Sequence, residues 1–258
     1  MPKKRTRVLS ILGSSYSAID AHPEELSFSY YISQDYPDLR IKNFARSAHG
    51  VDYARFILDW MIYTNFKTDL ILLEVPPPAR LLLWEGEGNT LTSPDQASGY
   101  FEEIAINDNV NLLLCEPHDF VGAERVVFST NYFRYGGKSQ TITNKEKPHL
   151  DYIHDRAVVS TQYHIFNSLS FLNQLEWYEK QLKCKIFYYS HDRSNLVGVE
   201  NTRINKSNFH DQTALEFMHE NTENFTWDST HLNSYGSEYF YINYLKASSF
   251  GDALKNIL

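Results

Sequence analysis

The chain has 258 residues and is 42% hydrophobic, which is enough to bury the core of one large α/β domain. Its formal net charge of −8 disfavours a nucleic-acid-binding protein, because contacts to phosphates need a surplus of Lys and Arg. No apolar run is long enough to cross a bilayer, and the first residues lack the apolar core of a secretory signal. We therefore expect a cytoplasmic protein without a membrane partner.

Four segments predict strands. Residues 7–12, 69–75 and 185–190 are short apolar runs, and prolines stop the second of these. Residues 39–44 instead alternate apolar and polar side chains with period two, as an edge-type strand does. Gly13 ends the first segment, so the serine-rich residues 14–17 should follow at the carboxyl end of that strand.

Apolar residues that recur at helical spacing predict helices between these strands and after them. The helical segments are 26–36, 51–61 and 165–175. A last helix should carry four apolar or aromatic side chains on one face, namely Tyr235, Tyr239, Ile242 and Leu245. Asn233 or Ser234 is placed to cap it.

The alternation of strands and helices predicts an α/β fold, a three-layer α/β/α sandwich with a mostly parallel sheet. We expect a single domain over 1–258, with an irregular insertion at about 77–155 that contains a hairpin near 107–109. In such sheets ligands collect at the carboxyl ends of the strands. Four sequence features should meet there: Ser15, residues 43–50, residues 74–80 and His191.

Metal and redox chemistry find little support in the sequence. Cys115 and Cys184 stand alone, without the neighbouring His or Cys of a metal or redox motif, and we expect both to be reduced and buried. Residues 149–155 are rich in His and Asp but match no standard zinc spacing. We expect no metal and no cofactor.

Two segments at opposite ends of the chain supply the groups of a catalytic triad. Ser15, in the turn after the first strand, needs a base to take its proton as it attacks a carbonyl, and His231 can act as that base. Asp228, three residues earlier, can hold the imidazole in the required tautomer and offset its positive charge. Ser14 is the alternative nucleophile in the same turn.

These motifs resemble those of the SGNH (GDSL-like) hydrolase superfamily. The resemblance rests on Gly-x-Ser-x-Ser at 13–17 and on Asp-x-x-His followed by Leu-Asn-x-x-Gly at 228–236. It covers most of the chain outside the insertion. It implies a flavodoxin-like sandwich and a serine esterase that forms an acyl-enzyme, with acetyl or other short acyl esters on carbohydrate as the expected substrates.

The resemblance also implies an oxyanion hole, whose donors stabilise the charge that develops on the carbonyl oxygen. The backbone N–H of Ser15 would be one donor, and the N–H of Ala48 or Gly50 a second. The family commonly has Gly-x-Asn-Asp after the third strand, but this chain has Glu74-Val75 and three prolines there. Arg80 could donate in place of the missing Asn, and Asn89 is a more distant substitute.

Three other hypotheses account for the same residues. A sugar hydroxyl could replace water as the acyl acceptor, which would make the protein an acyltransferase. The turn at 13–17 could instead cradle the phosphate of a nucleotide or flavin, as in a flavodoxin-like binding module. The chain could also be an inactive relative whose cleft binds a glycan or a protein.

Overall fold

The computed structural model describes residues 5–19, 25–46, 49–76, 80–86, 101–117, 123–129, 133–135, 161–196, 198–202, 204–218 and 231–258. The strands in these ranges are β1 (Arg7–Leu12), β2 (Leu39–Asn43), β3 (Leu70–Val75), β4 (Arg80–Gly86), β5 (Phe101–Ile106), β6 (Asn109–Pro117), β7 (Ala123–Ser129), β8 (Phe133–Tyr135) and β9 (Lys185–Ser190). Six of them form the main sheet, in the order β5-β6-β2-β1-β3-β9. Each pairing in it is parallel except that of β5 with β6. The other three strands form a second, antiparallel sheet in the order β4-β7-β8.

Helices pack against the main sheet. They are α1 (Phe28–Asp35), α2 (Val51–Tyr63), α3 (Thr161–Leu182), α4 (Ala214–Met218), α5 (Ser234–Phe240) and α6 (Ser249–Ile257). Shorter helical turns of the 3₁₀ type occupy Arg193–Leu196, Val199–Asn201 and Lys206–Asn208, and a π-helical turn, Tyr241–Leu245, follows α5. None of the helices in the described ranges is long and apolar enough to cross a membrane.

The alternation of side chains along the central strands divides the core into two halves. On β3, Ile71 and Leu73 pack with residues of α2 and α3, while Leu70 and Leu72 pack with residues of α1, α5 and α6. Because successive side chains of a strand point to opposite faces of the sheet, these helices lie on both sides of it. The predicted α/β class and mostly parallel sheet are confirmed, and the arrangement is compatible with a three-layer sandwich.

The bounds of the predicted strands agree closely with those observed, but the edge-type prediction for residues 39–44 is wrong. Strand β2 lies inside the sheet between β6 and β1, where its polar side chains Arg40 and Lys42 form ion pairs with Glu103 of β5. Strands β1 and β9 have the predicted bounds, while β2 ends and β3 begins one residue inside theirs.

The helices predicted at 26–36, 51–61 and 165–175 correspond to α1, α2 and α3. Asn233 caps α5, where its side-chain oxygen accepts a hydrogen bond from Gly236 N at 2.8 Å.

The segment at about 77–155 differs from the irregular insertion expected from the sequence. Its described residues form β4 to β8, and β5 and β6 belong to the main sheet. Strand β6 contributes a run of buried apolar residues, Leu112 to Cys115, and such a run gains from pairing beside β2 in the core. The predicted hairpin is confirmed: Asn107 and Asp108 have φ values of 50° and 59°, as a two-residue turn between antiparallel strands requires.

Both cysteines are free and buried, as expected. Burial raises the pKa of the Cys115 thiol to about 12 and that of the Cys184 thiol to about 12 as well. Because the thiolate is the reactive form of cysteine, neither thiol is a nucleophile at neutral pH.

Candidate active site

The turn that follows β1 approaches the end of β3 very closely. Gly13 has φ of +153°, and a Cβ atom added to it would lie 2.7 Å from Cβ of Glu74 and 2.8 Å from its Oε2. Only glycine has both the backbone freedom and the missing side chain that this contact demands. The close approach brings Glu74 against the first residue of the serine-rich turn.

Substitution of Gly13 by alanine should destabilise the fold. The backbone conformation alone costs an L-residue about 1–3 kcal/mol, and the contact with the Glu74 Cβ atom adds to this because that atom cannot rotate away. Urea unfolding followed by tryptophan fluorescence would measure the loss. A free energy of unfolding within about 0.5 kcal/mol of the wild-type value would contradict this description of the turn.

The two serines after Gly13 have different surroundings, and this difference separates the two nucleophile candidates. Ser14 is fully buried, and Glu74 accepts hydrogen bonds from both its N–H (3.1 Å) and its hydroxyl (2.5 Å). Ser15 is 8% exposed and lines a pocket. Of the two hydroxyls, that of Ser15 is therefore the one that a substrate could reach.

The neighbouring strands β2 and β9 also hold the turn, at its far end. The side-chain amide of Asn43, at the end of β2, donates to the Ser17 carbonyl at 2.8 Å. The hydroxyls of Ser17 and Tyr189, from β9, lie 2.7 Å apart. Burial, reinforced by the negative charge of Glu74, raises the pKa of Tyr189 well above its ordinary value. Tyr189 is therefore a neutral phenol that can donate to Ser17.

Ser15 and His231 line the same pocket, although they come from opposite ends of the chain. Its volume is about 30 Å³. Besides these two residues, the lining consists of Tyr16, Ala18, Ile19, Glu25, Leu26, Ser27, Phe28, Leu232 and Ser237. No hydrogen bond joins Ser15 Oγ to His231 Nε2, which is itself buried. The hydroxyl and the imidazole thus share one small cavity.

Three rings stack beside the pocket. The Tyr16 ring lies parallel to that of His191, with an interplanar angle of 7° and 3.4 Å between centroids. Its centroid is also 4.9 Å from that of His231, at an interplanar angle of 28°. His191 follows β9 directly and is 2% exposed. Stacking on Tyr16 therefore limits the tilt of the His231 ring, which faces the same cavity as Ser15.

The expected meeting of features at the carboxyl edge of the main sheet is confirmed for the residues that the structure describes. Ser15 follows β1, Asn43 ends β2, Glu74 lies near the end of β3 and His191 follows β9. Asn43 and Glu74 both bind the serine-rich turn through their side chains.

Several predicted site residues lie outside the described residues or are described only by their place in an element. Asp228, Ala48 and Asn89 lie outside them. Gly50 is buried and precedes the first residue of α2 as its N-cap, in an extended conformation. Arg80 is the first residue of β4, in the second sheet. The oxyanion roles of these residues, and the orienting role of Asp228, stay predictions.

The sequence motifs assign no role in the site to three of its residues. Glu74 belongs to the departure from the family pattern, Tyr16 occupies a variable position between the two motif serines, and His191 is predicted only to lie at the sheet edge. A charged residue near the end of an otherwise apolar strand, Leu-Ile-Leu-Leu-Glu-Val, was the available signal for Glu74. The described residues contain no group of three or more His, Cys, Asp or Glu that could hold a metal ion.

Comparison with known proteins adds no relative to this description: no protein-family model matches the chain, and no curated protein matches it at a significant level.

Proposed function

We propose that this protein is a serine ester hydrolase of the SGNH (GDSL-like) type that cleaves short acyl esters. One observation carries the proposal: the Ser15 hydroxyl and the His231 imidazole, remote in sequence, line one cavity at the carboxyl edge of the sheet. The three-layer arrangement of helices about a mostly parallel sheet supports it.

The mechanism follows from the chemistry of the groups. Ser15 Oγ attacks the ester carbonyl while His231 takes its proton, and the same imidazole then protonates the departing alcohol. Water, deprotonated by His231, releases the acyl group from Ser15. The hydrogen bond between nucleophile and base commonly tightens only when substrate binds. Asp228 is proposed to orient the imidazole.

The hydrogen bonding of the turn favours catalysis over phosphate binding. A phosphate-binding turn directs backbone N–H groups at an anion, but here the N–H of Ser14 donates to the carboxylate of Glu74. That N–H is therefore already used and cannot bind a phosphate, which favours a neutral ester as the ligand.

The size of the pocket supports a short acyl group. Sites that enclose drug-sized ligands have volumes of about 300–1,000 Å³, whereas this cavity has about 30 Å³. Apolar side chains, including those of Ile19, Leu26 and Leu232, line it and suit a methyl group. The proposal of carbohydrate as the alcohol rests on the family resemblance.

Acyl-chain preference tests the pocket as the acyl site. With p-nitrophenyl esters, we expect kcat/KM to fall about tenfold or more from acetyl to butyryl, since each unaccommodated methylene costs about 1–3 kcal/mol. Leu26→Ala should narrow that difference because it enlarges the cavity. Leu182→Ala, which shortens a partly buried leucine in the other half of the core, is the matched control. If both variants narrowed the difference in kcat/KM between the two esters equally, or if Leu26→Ala did not narrow it, the pocket would not be the acyl site.

The basic experiment is turnover of p-nitrophenyl acetate by the purified wild-type chain, repeated with an added sugar acceptor. We expect release of p-nitrophenol together with acetate. Acetylated sugar in place of acetate would identify an acyltransferase with the same triad. A folded chain that turns over neither short nor long esters would contradict the proposal and favour an inactive relative or a binding module.

A further inference from the structure

The turn Gly13–Ser17 has few hydrogen bonds of its own. Its internal backbone bonds run from Ser17 N (3.2 Å) and Ala18 N (3.1 Å) to the Ser14 carbonyl. The remaining support comes from outside, and the largest part is the Glu74 carboxylate, both of whose oxygens bind Ser14.

We infer that Glu74 is a positioning residue for Ser15, an inference that rests on the proposed esterase function. The two bonds from Glu74 bind the main chain and the side chain of Ser14 at once, so they fix the rotation of that residue. The peptide that follows Ser14 sets the direction of the Cα–Cβ bond of Ser15. Glu74 therefore aims the nucleophile without touching the substrate.

The burial of Glu74 argues against a purely structural role. The side chain is 0% exposed, and burying an acidic side chain is costly unless it is well hydrogen-bonded. The chain nevertheless keeps an acid at this point, and with it a glycine whose missing Cβ makes room for the Glu74 side chain.

Glu74 also keeps Ser14 from acting as the nucleophile in place of Ser15. The Ser14 hydroxyl donates to Glu74 at 2.5 Å, a charge-assisted bond that is stronger than one between neutral groups. Ser14 is thereby held away from the pocket, and Ser15 is left as the serine that faces it.

The variant Glu74→Gln tests the inference, because it keeps the shape of the side chain and one acceptor oxygen. Three quantities are measured: kcat and KM with p-nitrophenyl acetate, the rate at which a fluorophosphonate labels Ser15, and urea unfolding. We expect kcat and the labelling rate to fall about 10–100-fold through misalignment of the nucleophile, with KM nearly unchanged. Stability should stay equal or rise.

Asp69→Asn is the matched control, at the opposite end of the same pair of strands. The Asp69 carboxylate accepts from Val8 N and from Arg7 Nη1, each at 2.9 Å, and so holds the amino end of β1 as Glu74 holds the turn at its carboxyl end. This variant should lose stability and keep the wild-type labelling rate. Ser14→Ala should share the defect of Glu74→Gln, and combining the two should add little, because both break the same contact.

The outcomes distinguish a failure of the proposed function from a failure of the positioning role of Glu74. If the wild type shows neither turnover nor labelling, the proposed function fails and the inference fails with it. If the wild type is active and Glu74→Gln labels at the same rate per folded molecule, the function stands and the positioning role of Glu74 is overturned. A loss of activity that matches only the loss of folded protein overturns it as well.

Discussion

The Ser15→Ala variant should lose about 10⁴-fold or more in kcat/KM for p-nitrophenyl acetate, because it removes the atom that forms the acyl-enzyme. The loss should lie in kcat, since binding of the ester by the rest of the pocket is unchanged. The fold should persist, because the side chain removed is small and lies at the edge of a cavity. Steady-state kinetics and urea unfolding on the same preparation would measure both quantities.

Ser10→Ala is the control for this substitution. Ser10 is a buried serine in the middle of β1, where its hydroxyl donates to Thr68 Oγ1 at 3.0 Å. The variant should be less stable by about 1 kcal/mol and should keep its turnover per folded molecule. If Ser15→Ala retained the activity of Ser10→Ala, the nucleophile would have to be sought elsewhere in the chain.

His231→Gln should be nearly as damaging, with a loss of about 10⁴-fold in kcat/KM at neutral pH, because no base would remain to take the serine proton. Since nucleophile and base act as one unit, the double variant Ser15→Ala/His231→Gln should be little worse than either single variant. Additive losses would mean that the two side chains act in different steps.

His210→Gln provides the control for an imidazole. The His210 ring stacks on Tyr244, with 3.7 Å between ring centroids, and burial lowers its pKa below the ordinary value. It does not line the pocket that contains Ser15. Turnover by this variant should stay within about twofold of wild type, as for most substitutions away from a site. A large loss here would point to a different base.

Strands β1 and β3 could be predicted because each is a short apolar run with a clear end. In β1, Val-Leu-Ser-Ile-Leu ends at Gly13, and in β3 the apolar run ends at three prolines. These local signals fix where a strand begins and ends without knowledge of its neighbours. Agreement was therefore closest for β1 and β9, which were predicted with the observed bounds.

Strand β6 was missed although it contains an equally apolar run, Leu-Leu-Leu-Cys. Its place beside β2 depends on pairing between segments that are remote in sequence, and no local pattern encodes that pairing. The short two-residue turn at Asn107 and Asp108 was recognisable, but a hairpin gives no indication of which sheet it joins.

The segment of α5 and the π-helical turn after it has aromatic and apolar residues at more than one helical spacing, and the sequence pattern selected the wrong face. Tyr235, Tyr239, Ile242 and Leu245 were expected on one face, but the first three are exposed, at 58%, 38% and 46%, and only Leu245 is buried. The core also receives Phe240, Tyr241 and Tyr244. The π-helical turn changes the period only from Tyr241 onward, so it does not account for the exposure of Tyr235 and Tyr239.

For the site, the sequence indicated which elements meet but not which side chains touch. Ser15 and His231 could be proposed because their chemistry requires each other. The contact of Glu74 with Ser14, and the stacking of Tyr16 with His191 and His231, depend on strand order and on side-chain directions. No motif encodes these, since they arise only when β1, β3 and β9 lie side by side.

The most direct measurement of the central claim is to locate the acyl group on the protein. The wild type would be mixed with p-nitrophenyl acetate, quenched in acid during turnover, digested and mapped by mass spectrometry. The account predicts an acetyl group on Ser15, and none on the corresponding peptide of Ser15→Ala. Turnover by the wild type with acetyl on another residue, or with no acyl-enzyme under any quench time, would contradict it.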